Sequence, residues 1–190
     1  MKQEFARSPS KRTTVQNLKR AIEQRLKRLL EQNPMRTDFQ QHYEEIVAEY
    51  NREKDRVTIE SFFNELLNYM ETLNEEESRN IREGLDKESL AIFDILKKNR
   101  LTPVEIKQVK KVAVDLLATL KARKLKVNNW RDKESTRDAV RVVIRDFLWR
   151  DDTGLPAVYA EDEIEIKAED VFRHVHWAYP TVPSPYYAVV

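Results

Sequence analysis

The chain has no cysteine, only two glycines in 190 residues and no long apolar run. Without cysteine there are no disulfides, no thiolate nucleophile and no thiolate metal site. Glycine alone adopts positive φ cheaply, so phosphate-cradling loops and tight hairpins depend on it. Gly84 and Gly154 do not stand in the Gly-x-x-x-x-Gly-Lys-Ser/Thr pattern, so no ATP site is expected in this chain. No window approaches the roughly 20 apolar residues of a membrane span. Met1-Lys2-Gln3-Glu4 has no apolar run behind it, so no signal peptide and a cytoplasmic location are expected.

What is present points to helices. Charged residues make up 35% of the chain, and apolar residues recur at intervals of three and four. Val15, Leu18, Ile22, Leu26 and Leu29 predict a first helix from about Thr14 to Asn33-Pro34, where proline withholds its amide. Asp38 is the expected cap of a second helix with Phe39, Tyr43, Ile46, Val47 and Tyr50 on one side. Thr58 is the expected cap of a third, through Phe62, Phe63, Leu66, Met70 and Leu73. Asn74 with Glu75-Glu76-Glu77 reads as the start of a short fourth helix, because acids suit a positive helix end. Gly84 suits its end and Asp86 the next start. Thr102-Pro103-Val104-Glu105 is a capping box with proline at the first helical position. The helix behind it breaks near Asn128-Asn129-Trp130, and Asp132 is the expected cap of the next. Gly154-Leu155-Pro156 marks a turn before a last helix bearing Ile164, Ala168, Val171 and Val175. The fold expected is all-α, a single helical domain of about seven helices over 14–180. A flexible arm or linker precedes it over 1–13, and an extended tail follows over 181–190.

The net charge of +1 conceals four blocks: +7 over 1–30, −10 over 31–96, +10 over 97–150 and −6 over 151–190. Complementarity between helices is the expected use of most of these charges.

Catalytic patterns are absent from the sequence. His174-x-His176 places two rings about 200° apart on a helix, so both are expected to be structural, at the surface or half-buried. Asp170, four residues before His174, reads as its helix ion-pair partner. Glu163-Ile164-Glu165-Ile166-Lys167 contains the Glu-x-Lys of metal-dependent nucleases, with Asp152 upstream. That motif works on a strand, where residues two apart share a face, whereas this periodicity is helical. No catalytic, cofactor-binding or metal residue is therefore assigned. The better lead is the basic block. Lys107, Lys110, Lys111, Lys121, Arg123, Lys124 and Lys126 lead into Arg137, Arg141 and Arg145, which repeat every four residues as one stripe. Lys110, Lys111, Arg137, Arg141 and Arg145 are the candidate contacts to DNA or a partner. Trp130, Trp149 and Trp177, with Tyr179, are candidate aromatic anchors, weighed against packing in the core.

Several segments carry a family resemblance: Ala21-Ile22-Glu23 with Leu26, Phe93-Asp94-Ile95-Leu96, Asn129-Trp130, and Arg137-Asp138-Ala139-Val140-Arg141-Val142-Val143-Ile144 with Leu148. Leu155-Pro156 with Tyr159, and Val171-Phe172-Arg173-His174-Val175, continue it. Together, over roughly 15–180, the chain resembles the C-terminal helical region of the restriction (R) subunit of type I restriction–modification enzymes. The resemblance implies a parent ATP-dependent DNA translocase and endonuclease, using ATP and Mg²⁺ in nuclease and motor domains that lie elsewhere. It implies a non-catalytic assembly role for this region, docking on the methyltransferase core. The implied partners are the modification (M) and specificity (S) subunits and the R-subunit motor domains, with duplex DNA as a further candidate. The alternative reading is a helical nucleic-acid-binding module using a basic face.

Overall fold

The computed structural model describes residues 5, 10–52 and 58–187. All regular structure among them is α-helical. The helices are α1 (Lys11–Gln32), α2 (Thr37–Arg52), α3 (Ile59–Glu77), α4 (Arg79–Glu83), α5 (Lys87–Leu96), α6 (Pro103–Arg123), α7 (Glu134–Leu148) and α8 (Glu161–Ala178). The chain divides into two compact units: the residues up to Leu30 with Arg36–Arg79, and Glu31–Met35 with the residues from Asn80 onward.

In the first unit, Val15, Leu18, Ile22, Leu26 and Leu29 of α1 are buried with Phe62, Phe63, Leu66 and Leu73 of α3. Each such side chain contributes about 1.5–3 kcal/mol when fully withdrawn from water. Tyr43 of α2 closes this core and donates its hydroxyl proton to Glu23 at 2.7 Å. Burial, then that carboxylate, pushes the Tyr43 pKa up. α3 opens as expected, the Thr58 side chain accepting from the Ser61 amide at 3.1 Å.

Several boundaries differ from the sequence reading. Most of the arm expected over 1–13 lies outside the described residues, as do 188–190 of the tail. α1 begins at Lys11 rather than Thr14, and Phe5 stacks on Phe63 with ring centroids 3.8 Å apart. Asp38 lies within the first turn of α2 instead of capping it. Glu75-Glu76-Glu77 ends α3 rather than starting a helix, with Ser78 as C-cap. Three carboxylates at the negative end of a dipole are unfavourable by themselves. Arginines offset them here: Arg25 forks onto Glu77 at 2.9 and 2.6 Å, and Glu76 meets Arg36 at 3.2 Å and Arg79 at 2.9 Å. The tertiary placement of Arg25 and Arg36, with the neighbouring Arg79, offsets the acid run there.

In the second unit, α5 packs on α6 and α8, α6 on α7, and α7 on α8, closing a ring of four helices. Ile92, Leu96, Val109, Leu116, Leu120, Ile144, Val171 and Val175 fill its centre. Gly84 ends α4 at φ +67°, and the Asp86 side chain caps α5 by accepting from the Ser89 amide at 2.7 Å. The capping box of α6 is complete: the Glu105 amide donates to Thr102 Oγ1 at 3.3 Å, and the Thr102 amide donates to Glu105 at 2.7 Å. α7, in contrast, has Lys133 at its N-cap with no side-chain cap, so Asp132 does not perform the expected role. The cause is local. Trp130 is drawn into the core, and the Asp132 amide bonds to the Asn129 carbonyl at 3.0 Å in a tight turn before the helix begins. Residues 184–187 of the tail pack on this unit: Ser184 bonds the Ala178 carbonyl, and the Tyr187 hydroxyl donates to the Gln32 carbonyl.

Candidate partner and nucleic-acid interface

α7 and α8 position the arginine stripe. Val140, Ile144, Phe147 and Leu148 bury one side of α7, leaving Arg137, Arg141 and Arg145 off that face. The three differ in what they touch. Arg137 donates to the Arg131 and Asp132 carbonyls at 2.8 and 3.1 Å, tying down the turn ahead of its helix. Arg141 lies over the Phe172 ring at 3.8 Å and pairs with Glu169 at 3.3 Å and Asp138 at 3.2 Å. Arg145 is exposed, its nearest carboxylate Asp146 at 3.9 Å. Arg141 and Arg145 line a groove of about 290 Å³ whose other charged walls are Asp138, Glu165 and Glu169. Three carboxylates against two guanidiniums cancel the positive field that periodicity suggested.

The candidate lysines divide in the same way. Lys110 donates to the Glu83 carbonyl at 2.8 Å and pairs with the Glu83 carboxylate at 2.7 Å. Lys111 is exposed with no carboxylate partner among the described residues. The acidic and basic blocks therefore do meet inside each unit: Lys11 with Glu60 and Arg25 with Glu77 in the first, Lys110 with Glu83 and Lys121 with Glu88 in the second.

Trp130 corrects its reading as a surface anchor. It is 1% exposed and its indole N–H donates to the Tyr179 carbonyl at 2.8 Å. Tyr179 is itself fully buried, and burial pushes its pKa up. Trp149 and Trp177 are exposed, at 39% and 51%. Trp149 donates to Glu165 at 3.0 Å, and Trp177 stacks on Tyr186 with centroids 5.2 Å apart.

His174 is buried rather than at the surface or half-buried, and Asp170 pairs with Arg173 instead of with it. The His174 Nε2 lies 3.1 Å from the Tyr187 hydroxyl, and Nδ1 is buried without a partner. Since Tyr187 gives its proton to Gln32, the ring is neutral with its hydrogen on Nε2. Burial depresses its pKa to about 4. His176 is half-exposed; desolvation, then Arg131, Arg137 and Arg141, lower its pKa. The Glu-x-Lys segment is helical as the periodicity required. Glu165 faces Trp149, while Lys167 donates to the Ile95 carbonyl at 2.6 Å and has its pKa lowered by burial. Among the described residues no group of three His, Cys, Asp or Glu could hold a metal ion. No described helix is long and apolar enough to cross a membrane.

Sequence reasoning missed the polar contacts that hold Glu31–Met35 in the second unit. Asn33 donates to the buried Asp94 at 2.6 Å, and Gln32 to the Tyr186 carbonyl at 2.8 Å. Asn33 before Pro34 signals only a helix stop, and nothing in its own neighbourhood announces a partner 61 residues away.

These features define a helical module whose surface offers charge and aromatic rings. The family model for the type I restriction enzyme HindI endonuclease subunit-like C-terminal region matches residues 1–179, and the chain belongs to that family. Neither a curated protein nor a solved structure matches it.

Proposed function

We propose that this chain is a non-catalytic assembly module of a type I restriction enzyme R subunit, docking that subunit on a methyltransferase core of modification and specificity subunits. The observation that carries the reading is the family match, which runs over nearly the whole chain and concerns the C-terminal region of an endonuclease subunit. In this reading the nuclease and motor chemistry, with its ATP and Mg²⁺, belongs to other parts of the subunit, in the cytoplasm. The surface suits docking through Trp149 and Trp177, because tryptophan is enriched among the few residues that dominate the binding energy of protein interfaces. The test is titration of the full chain with purified modification and specificity subunits at low salt. A stable complex is expected. A folded chain that stays separate from both subunits rejects the assignment.

A second reading, a helical module that contacts duplex DNA, is favoured by the basic block over 97–150 and the unpaired cations within it. It predicts salt-sensitive binding to duplex DNA of any sequence.

A further inference from the structure

The second unit spends some of its cations on carboxylates and leaves others unmatched. Lys98, Lys110, Lys121, Arg141 and Arg173 each pair with a carboxylate. The connection from α6 to α7 differs. Arg123, Lys124, Lys126 and Lys133 have no carboxylate partner among the described residues, and all are exposed except half-exposed Lys124. A fifth cation, Arg131, bonds only a carbonyl, that of His176 at 3.2 Å. Asp132 is the sole acid between Arg123 and Lys133.

This connection is well anchored. Leu125 and Trp130 are 2% and 1% exposed, so the chain is tethered to the core at both ends of its turn. The Leu125 amide reaches the Leu120 carbonyl at 3.0 Å, the Trp130 amide the Val127 carbonyl at 3.2 Å, and Asn129 takes the left-handed conformation at φ +54°. The cations between and beside these anchors are held outward on an ordered backbone. Lys133 also occupies a position where Ser, Asp or Asn is preferred and a cation opposes the helix dipole, offset in part by Glu134 in the first turn.

We propose that the α6–α7 connection, through Arg123, Lys124, Lys126 and Lys133, is a contact site for the phosphate backbone of duplex DNA. The inference rests on the DNA-contact reading above and moves the contact away from the arginine stripe. Unpaired, solvated lysines are the chemistry of phosphate contact, where each cation meets a point charge and displaces a counterion. Protein interfaces are depleted in lysine at their centres and enriched in aromatic rings. The exposed tryptophans stand elsewhere, on α8 and just after α7. The Arg141–Arg145 groove is the weaker candidate, since its carboxylates would face the phosphates.

The experiment measures fluorescence anisotropy of a labelled random-sequence duplex against the full chain from 25 to 200 mM salt. Three variants are compared with the native chain: the quadruple Arg123→Gln/Lys124→Gln/Lys126→Gln/Lys133→Gln, the pair Arg141→Gln/Arg145→Gln, and the pair Arg12→Gln/Lys19→Gln. The quadruple variant is expected to lose at least about tenfold in affinity at the lowest salt, with a shallower salt slope, while both pairs change less than about threefold. Circular dichroism confirms that each is folded; the four single variants, each expected to flatten the slope, replace the quadruple if it is not. Loss in either pair with the quadruple unchanged overturns the placement but keeps the DNA-contact reading. No binding by the native chain overturns both. A quadruple variant that binds DNA normally but loses the methyltransferase core also overturns the proposal and makes the connection a protein contact.

Discussion

His174 and Trp130 show how one side chain's surroundings decide its behaviour. A neutral His174 gives its Nε2 hydrogen to Tyr187, and protonation would leave an N–H at Nδ1 buried without an acceptor. Its folded pKa of about 4 lies below the ordinary 6.5, so between those values the unfolded chain binds more protons than the folded one. The stabilisation is present in full above pH 6.5 and is lost as pH falls toward 4, by at most about 1.4 kcal/mol per pH unit. His174→Gln is expected to flatten the pH dependence of urea stability over that window, so that the native-minus-variant difference shrinks as pH falls; equal pH profiles would reject the assignment. Trp130→Ala should cost about 3–5 kcal/mol by the same measurement, because it empties a core site and orphans the Tyr179 carbonyl. A loss below 1 kcal/mol would mean that Trp130 is not packed as described.

At the scale of the element, helix ends separate good local agreement from poor. Thr102→Ala removes a complete capping box and is expected to cost about 1 kcal/mol. Lys133→Ser acts in reverse: it gives α7 the cap it lacks and removes a cation from the positive end of the helix dipole. A stabilisation of about 0.5–1 kcal/mol in thermal unfolding is expected, and a lower melting temperature would contradict it. Gly154 sits in the turn before α8, where a Cβ would strike the carbonyl oxygens of Arg150 and Leu148, so Gly154→Ala should destabilise that turn. Caps such as Thr58, Asp86 and Thr102 were legible because they are local chemistry within three or four residues. Asp132 and the run Glu75–Glu77 misled for the converse reason. Their placement follows from a tryptophan pulled into the core and from arginines of other elements.

For the molecule as a whole, exposure sorts the surface into an aromatic part and a cationic part. Trp177 is exposed, so Trp177→Ala should change stability by less than about 0.5 kcal/mol, and under the proposed docking role it should weaken binding to the methyltransferase core. Parallel titration calorimetry and thermal unfolding check this; unchanged affinity would take Trp177 out of the docking surface. Of the candidate site, the basic block and the family relationship could be seen in the sequence. Which cations are free could not, because pairing depends on carboxylates such as Glu83, Glu88 and Glu169 that lie 27 to 33 residues away along the chain.

The amino-acid sequence by itself determined the all-α character, the apolar faces, the family and the helix starts at Thr58, Asp86 and Thr102, since helical period and capping are set within a few neighbouring residues. The tertiary structure alone decided that Trp130 is core while Trp177 is surface, that His174 is neutral, and that Arg141 is neutralised while Arg123, Lys124, Lys126 and Lys133 are not. Those outcomes depend on distance in space between groups far apart in the chain, which no local pattern encodes.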